Sequence, residues 1–313
     1  MDIDILLGLQ QFRNAAGPGL AEFFTKMTFF GELSVTPVLL AIVYWCISKE
    51  YGAYLLVGWS GNRLLNGGLK ITACAYRPWI RDPRVVPYGN AISTATGYSF
   101  PSGHSMNAAT VFGGAAVRKD MPRLLRVLSV LFVALVAFSR IYLGVHTPQD
   151  ILVGSLSGLL MMWIVLHVMR WVENHPDKDW LVAVIGVGLA VIIAVFAALK
   201  PYPRDFDAEG KLLVDGAKMA NDTYKCVGWS AGILIGWILE RRFVRFSTEI
   251  SMVSRITRLI AGLLSYYAFN LILLTWVKGL LPGISGTIVT CFLQMFYIVF
   301  LFPCFLKRPA RKA

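Results

Sequence analysis

An all-α, polytopic membrane helix bundle is the fold class this sequence predicts, and three observations carry that prediction. Hydrophobic residues fill 56% of the 313 positions and charged ones only 15%, at a mean hydropathy of +0.61; a soluble domain of that composition would lack the polar surface to cover itself. Apolar stretches of bilayer-crossing length, about 17–25 residues, recur at 27–48, 51–70, 102–118, 124–145, 150–171, 180–199, 224–240, 258–277 and 284–306, so about nine spans are expected. Basic residues gather in the short links between them, as a chain oriented in a membrane by its charge requires.

Ahead of the first span, residues 3–12 set Ile3, Ile5, Leu6, Leu9 and Phe12 against Asp4, Gln10 and Gln11, a pattern that suits an amphipathic helix lying on the membrane surface. No cleavable signal peptide is expected, since Asp2 and Asp4 stand where a basic leader would be. Residues 1–26 are therefore set apart as an interfacial segment. The second span carries Arg63 and Asn66, and the third is rich in Gly, Ser and Ala; both read as segments inside a bundle, where small residues allow close contact and a charge faces away from lipid. Cys46, Cys74, Cys226, Cys291 and Cys304 lack metal-ligand spacing and read as packing residues.

The net charge of +12 follows from topology rather than from nucleic acid. One alternating set of loops holds Lys49, then Arg118, Lys119, Arg123 and Arg126, then Arg170 and Lys178, then Arg241, Arg242, Arg245, Arg255 and Arg258, and the tail with Lys307, Arg308, Arg311 and Lys312. That set is expected to face the cytoplasm. In the opposite set, Lys200, Arg204, Lys211 and Lys218 are diluted by Asp205, Asp207, Glu209, Asp215 and Asp222. The outer side then receives the loop 71–101 and the turn 146–149, and the protein is expected in the cell membrane as a multi-pass chain.

Three polar clusters fall at that outer face: "LKITACAYRPW" with Lys70 and Arg77, "SFPSGHS" with Ser102, Gly103 and His104, and "SRIYLGVHTPQD" with Arg140, His146 and Asp150. Pro78 stops the helix after Arg77. A charge within a span costs about 2.5–3.5 kcal/mol, so Arg140 needs a partner or a wet pocket; the interhelical alternative is an ion pair with Glu32. Three converging cations want an anion. Arg forks match phosphate oxygens and Lys adds a point charge, while the N–H groups of a helix starting at Ser102 and Gly103 add an anion-binding end. His146 and Asp150 stand four apart, so the carboxylate can take the Nδ1 proton and leave Nε2 as a nucleophile. His104 can then protonate a departing oxygen. His167 reads as a packing residue and His175 as a solvated one. Tyr76, Trp79, Tyr88, Tyr98 and Phe100 read as an interfacial belt, and the loop 81–100 is long enough to cover the pocket.

The pattern K-x6-R-P, P-S-G-H and S-R-x5-H-x3-D, each once and in order across residues 70–150, resembles the type 2 phosphatidic acid phosphatase superfamily. The resemblance implies a six-helix catalytic core, here 27–199, and a metal-independent phosphatase with a covalent phosphohistidine and no cofactor. It implies that Lys70, Arg77 and Arg140 hold phosphate with Ser102 and Gly103, that His146 attacks, that Asp150 orients it, and that His104 protonates the leaving group. A helix-end site at the membrane face favours a phosphorylated lipid, as phosphate or pyrophosphate, whose tail stays among membrane lipids. The nine-span count is similar to that of glucose-6-phosphatases, which makes a sugar-phosphate phosphatase the alternative; Asp150 resembles the lipid branch. A lipid or phosphate transporter without hydrolysis is the reading of another class. Residues 200–313 form a three-helix extension in which Gly228, Gly232 and Gly236 make a small-residue face, suited to contact with the core or with a second subunit of a homo-oligomer.

Overall fold

The computed structural model describes residues 1–306, and among them the regular structure is helical apart from one isolated bridge between Phe206 and Leu212. In chain order the α-helices are α1 (Asp2–Ala16), α2 (Pro18–Thr28), α3 (Thr36–Ile42), α4 (Lys49–Ala73), α5 (Pro78–Arg81), α6 (Gly103–Val111), α7 (Gly113–Ala116), α8 (Arg123–Tyr142), α9 (Pro148–Asn174), α10 (Trp180–Leu199), α11 (Gly216–Leu239), α12 (Met252–Ile272), α13 (Lys278–Leu280), α14 (Gly283–Phe296) and α15 (Phe302–Leu306).

Among the described residues, five helical segments are long and apolar enough to cross a membrane: Arg123–Tyr142, Pro148–Asn174, Pro176–Leu199, Met252–Val277 and Gly283–Leu306. The pair α2 and α3 makes a sixth if counted as one broken span. The protein is thus a multi-span membrane protein. Stretch 51–70 lies within α4, and 224–240 within α11 and the helical turn Glu240–Val244 that follows it, but their Gly, Asn and charged residues keep them below that apolarity. Two expected spans differ in form. The stretch 27–48 breaks at Glu32, which is extended (φ −75, ψ 145) before Thr36 Oγ1 donates to Glu32 O at 2.8 Å and helix resumes. The stretch 102–118 is two short helices meeting at Phe112, where the pair Gly113–Gly114 weakens helix propensity.

The chain forms two compact units, one from Met1–Thr36, Leu65–Ile164 and Ala197–Asp222, the other from Pro37–Leu64, Val165–Phe196 and the chain from Thr223 onward. In the first, the amphipathic α1 has a protein partner: Leu6 packs with Val85 and Ile141. Arg13 is buried on the same side, donating to Tyr142 O at 2.9 Å and Val86 O at 2.7 Å. Ala21 and Phe24 of α2 join Ala91, Ala95, Tyr142, Leu143 and Val145 in one apolar cluster. This cluster seats the 81–100 loop against the end of α8, directly before His146.

In the second unit the glycine face of α11 is filled by the chain itself. Cβ atoms at Gly228, Gly232 and Gly236 would strike Ile288, Cys291, Phe292, Phe296 and Val299, so this face packs on α14 and the turn after it. Arg63 donates to Cys226 Sγ at 3.4 Å. His175 bonds Trp171 O at 2.9 Å and stacks on its ring. The links expected at the cytoplasm carry acids that answer some of their bases: Lys49 pairs with the fully buried Glu240 at 2.7 Å, and Arg242 with Asp179 at 2.5 Å. Among the described residues no disulfide joins any of the five cysteines. The basic tail at Lys307, Arg308, Arg311 and Lys312 lies outside the described residues.

Candidate active site

The third motif is shaped by a helix start. α8 ends at Tyr142, Gly144 turns the chain at φ +77, and Thr147 begins α9 in a reciprocal cap: Thr147 N donates to Asp150 Oδ2 at 2.8 Å and Asp150 N to Thr147 Oγ1 at 3.4 Å, the geometry of a capping box. The same Oδ2 takes His146 Nδ1 at 3.2 Å and Ser99 Oγ at 2.5 Å. On the other edge of the ring, Arg77 Nη1 lies 2.8 Å from Nε2. A carboxylate only accepts and a guanidinium only donates, so the proton sits on Nδ1 and the Nε2 lone pair points at Arg77. Burial first, then the charge of Arg77, holds His146 well below the ordinary histidine range, against the opposing hydrogen bond and charge of Asp150. The buried imidazole is neutral.

The first motif hangs from a ladder of carbonyls. Past α4 the chain turns at Cys74, a non-glycine residue at φ 45, and Arg77 precedes Pro78 at the first position of α5, where a missing N–H costs nothing. Arg77 Nε and Nη2 donate to Gly97 O and Thr96 O at 3.0 and 3.1 Å, and Nη1 also reaches Val145 O at 3.0 Å. Lys70, in the last turn of α4, donates to Tyr98 O and Ser99 O at 2.8 and 3.4 Å. Burial lowers Arg77 to about 10, Asp150 opposing it, so the guanidinium remains charged at neutral pH.

In the second motif Ser102 caps α6. Its Oγ accepts from Ser105 N at 3.3 Å and Ser105 Oγ at 2.9 Å, which leaves its own O–H to donate. Ser102 N donates to Asp150 O at 2.9 Å, tying this turn to the histidine's carboxylate residue. Two glycines let the backbone close in: a Cβ on Gly154 would stand 2.8 Å from Ser102 O, and one on Gly31 2.9 Å from His104 O. The first intrahelical bond starts at Met106 N, so the N–H groups of Gly103 and His104 precede it at the positive end of the helix. Among the described residues, the buried His104 Nε2 has no hydrogen-bond partner. The Ser102 N to Asp150 O bond joins the second motif to the third, and Arg77 Nη1 on His146 Nε2 joins the first to the third, so hydrogen bonds tie the three motifs together. Arg140 is fully buried, and donates to Thr28 Oγ1 at 2.5 Å and Thr94 Oγ1 at 3.4 Å; among the described residues it makes no ion pair with Glu32.

Residues 51–174 match the family model described as the PAP2 superfamily, and residues 224–309 the one described as PAP2 superfamily phosphatase, transmembrane extension. The phosphatidylglycerophosphatase B of Bacillus subtilis (strain 168) is 33% identical over 173 residues, which cover 51% of this chain and 81% of that protein. The chain belongs to the PAP2 superfamily. A second relative, the undecaprenyl-diphosphatase of Sulfolobus acidocaldarius, is 34% identical over 83 residues, 26% of this chain and 38% of its own length. Among solved structures, the crystal structure of a transmembrane PAP2 type phosphatidylglycerolphosphate phosphatase from Bacillus subtilis aligns at a TM-score of 0.46 and 29% identity, over 55% of this chain and 85% of that one.

All eight candidate residues, Lys70, Arg77, Ser102, Gly103, His104, Arg140, His146 and Asp150, lie inside the PAP2 match and inside the first compact unit. Sequence reasoning passed over Ser99, although it sits in the quoted heptapeptide, and Thr28 and Thr94, whose hydroxyls hold Arg140. A serine three residues before the helix cap offered a local signal; two threonines far from Arg140 in sequence offered none. Asn66 donates to Pro101 O at 3.3 Å and contacts Met106 Sδ at 3.1 Å, and so braces the second motif. Among the described residues no group of His, Cys, Asp or Glu is arranged to hold a metal ion.

Proposed function

We propose that this PAP2 protein is a membrane phosphatase that hydrolyses a lipid phosphate or pyrophosphate through a phosphohistidine, at the outer face of the cell membrane and without a metal. The observation that carries this reading is the hydrogen-bond order at His146: Asp150 takes the Nδ1 proton at 3.2 Å while Nε2 accepts from Arg77 at 2.8 Å, which is a neutral, aimed nucleophile beside a phosphate-binding fork. The relatives named for phosphatidylglycerophosphatase and undecaprenyl-diphosphatase activity supply the lipid class.

In this mechanism Lys70, Arg77 and Arg140 take the phosphate oxygens, helped by Ser102 and the N–H groups at the start of α6. Arg77 Nη1 turns from the imidazole to an oxygen as the anion seats, which uncovers Nε2. Nε2 then forms the N–P bond as the P–O bond to the lipid breaks, and His104 delivers a proton to the departing oxygen. Asp150 stabilises the positive charge that develops on the ring. In the second half, His104 takes a proton from water, the water oxygen attacks phosphorus, the N–P bond breaks, and inorganic phosphate leaves. A transporter would need the cations but not an oriented imidazole. The hexose-phosphate alternative rests on the nine-span count and on the likeness of "SRIYLGVH" to the third motif of glucose-6-phosphatases.

The test is phosphate release by the purified protein from phosphatidylglycerol phosphate, phosphatidic acid, a polyprenyl diphosphate and glucose 6-phosphate, with acid-labile, alkali-stable phosphoenzyme trapped from labelled lipid. Release from lipids and loss of both release and label in His146→Ala are expected. Equal turnover of the sugar phosphate would sink the lipid preference, and a His146→Ala protein that keeps most turnover would remove the nucleophile.

A further inference from the structure

Four consecutive carbonyls carry both cations of the first motif, Thr96 and Gly97 for Arg77, Tyr98 and Ser99 for Lys70. Whatever fixes residues 96–99 fixes where those cations can meet an anion. Part of that support comes from beyond residues 51–174. Gly97 turns at φ +67, and the Met219 Sδ occupies the place a side chain would take there. Met219 is buried on the first turn of α11. That turn is started by Asp215, whose Oδ1 accepts from Ala217 N and Lys218 N at 2.9 and 3.2 Å, as an N-cap does.

A second strut ends on the neighbour of Arg77. Tyr76 O–H donates to Asp205 Oδ2 at 2.5 Å, and the Tyr76 ring stands 6.1 Å from that of Tyr98. Lys200 Nζ adds a bond to Thr72 O at 3.3 Å, just after Lys70. Every one of these contacts lies within the first compact unit, to which residues 197–222 belong.

We propose that residues 200–222, the link into the transmembrane extension, are a positioning element of the phosphate site, with Met219 seating the 96–99 carbonyls and Asp205 the 74–77 turn. The inference rests on the reading of that site as a phosphate pocket. Long cationic side chains lose much rotamer freedom when they bind an anion, and a ladder that already holds them reduces that loss at the moment of binding. The link thereby couples the last helices to anion affinity without touching the anion.

Orthovanadate binding to the full-length protein, read by calorimetry, tests this beside kcat and KM for a short-chain phosphatidic acid. Met219→Ala is expected to raise the vanadate Kd about tenfold, and Asp205→Ala about threefold, the scale of a misplaced charge-assisted bond and of an exposed one. KM rises in step, and Met219→Leu and Asp205→Asn, which keep the bulk and the acceptor, restore wild-type binding. Variants with lowered Tm but wild-type vanadate affinity overturn the inference, because packing alone is then their role. If Met219→Ala does not fold, the exposed Asp205→Ala decides. A wild-type protein that binds no vanadate overturns the phosphatase reading and this inference together; binding by wild type and variants alike overturns the inference alone.

Discussion

Replacing Asp150 by Asn changes one charge in the candidate site and little else. The side chain keeps its size and an acceptor for Ser99 and Thr147, so the start of α9 should survive with a loss of about 1 kcal/mol. What goes is the negative charge 3.2 Å from His146 Nδ1, in a place where both groups are buried. At an effective dielectric of about 20, a full positive charge on the ring interacts with that carboxylate by about 5 kcal/mol. The ring is neutral before attack and positive after it, so nearly all of this acts on the transition state rather than on binding. The expected loss in kcat is about 10³- to 10⁴-fold, with KM little changed. Single-turnover phosphate release from labelled lipid in detergent micelles measures it, with a thermal melt as the folding control. An Asp150→Asn protein that melts like wild type and keeps a tenth of its kcat would refute the argument.

Phosphate release should continue undiminished in EDTA, because three cations and a helix end neutralise the phosphate in this mechanism; strict dependence on added Mg²⁺ would contradict it. Burial and Arg77 hold His146 below its usual range, and the nucleophile works deprotonated, so kcat/KM should persist as pH falls through about 6.5 and decline only farther down. An acid limb at or above 6.5 counts against that assignment. Gly154→Ala would set a Cβ 2.8 Å from Ser102 O and 3.3 Å from Ser102 N, an overpacking cost of about 1–3 kcal/mol. A lowered Tm and slower turnover are expected, and a variant unchanged in both would show that the close approach carries no weight.

The site was legible where local rules act. Ser102 caps a helix, and the i, i+4 spacing of His146 and Asp150 puts a carboxylate on the ring edge; Pro78, expected to stop a helix, instead opens α5, because α4 has already ended at Ala73 and the chain turns at Cys74. The charge argument at Arg140 asked for a partner or a wet pocket and offered Glu32 only as the alternative to an anion; the hydroxyls of Thr28 and Thr94 that hold the guanidinium were not foreseen, because a sequence offers acids as partners before it offers hydroxyls. The fold was legible from apolar runs at 124–145, 150–171 and 180–199. Where runs contain breakers, composition hid the break: Gly31–Glu32 splits the first run and Gly113–Gly114 the third. The glycine face of α11 announced a close neighbour and could not say which, since a small-residue stripe records the distance of approach and not the identity of what approaches. Arg13 and Met219 were invisible for a related reason. Their partners are backbone groups and a missing side chain, neither of which leaves a mark in residue type.

Thr147 and Asp150 close the first turn of α9 upon each other, and the same carboxylate steers the imidazole. Aim and fold therefore share a single joint. Warming or a harsh detergent that frays this one turn will misdirect the ring while nearly every other helical residue stays in register. Inactivation ought to run ahead of any change in circular dichroism, and a preparation judged intact by its helical signal can already be inert.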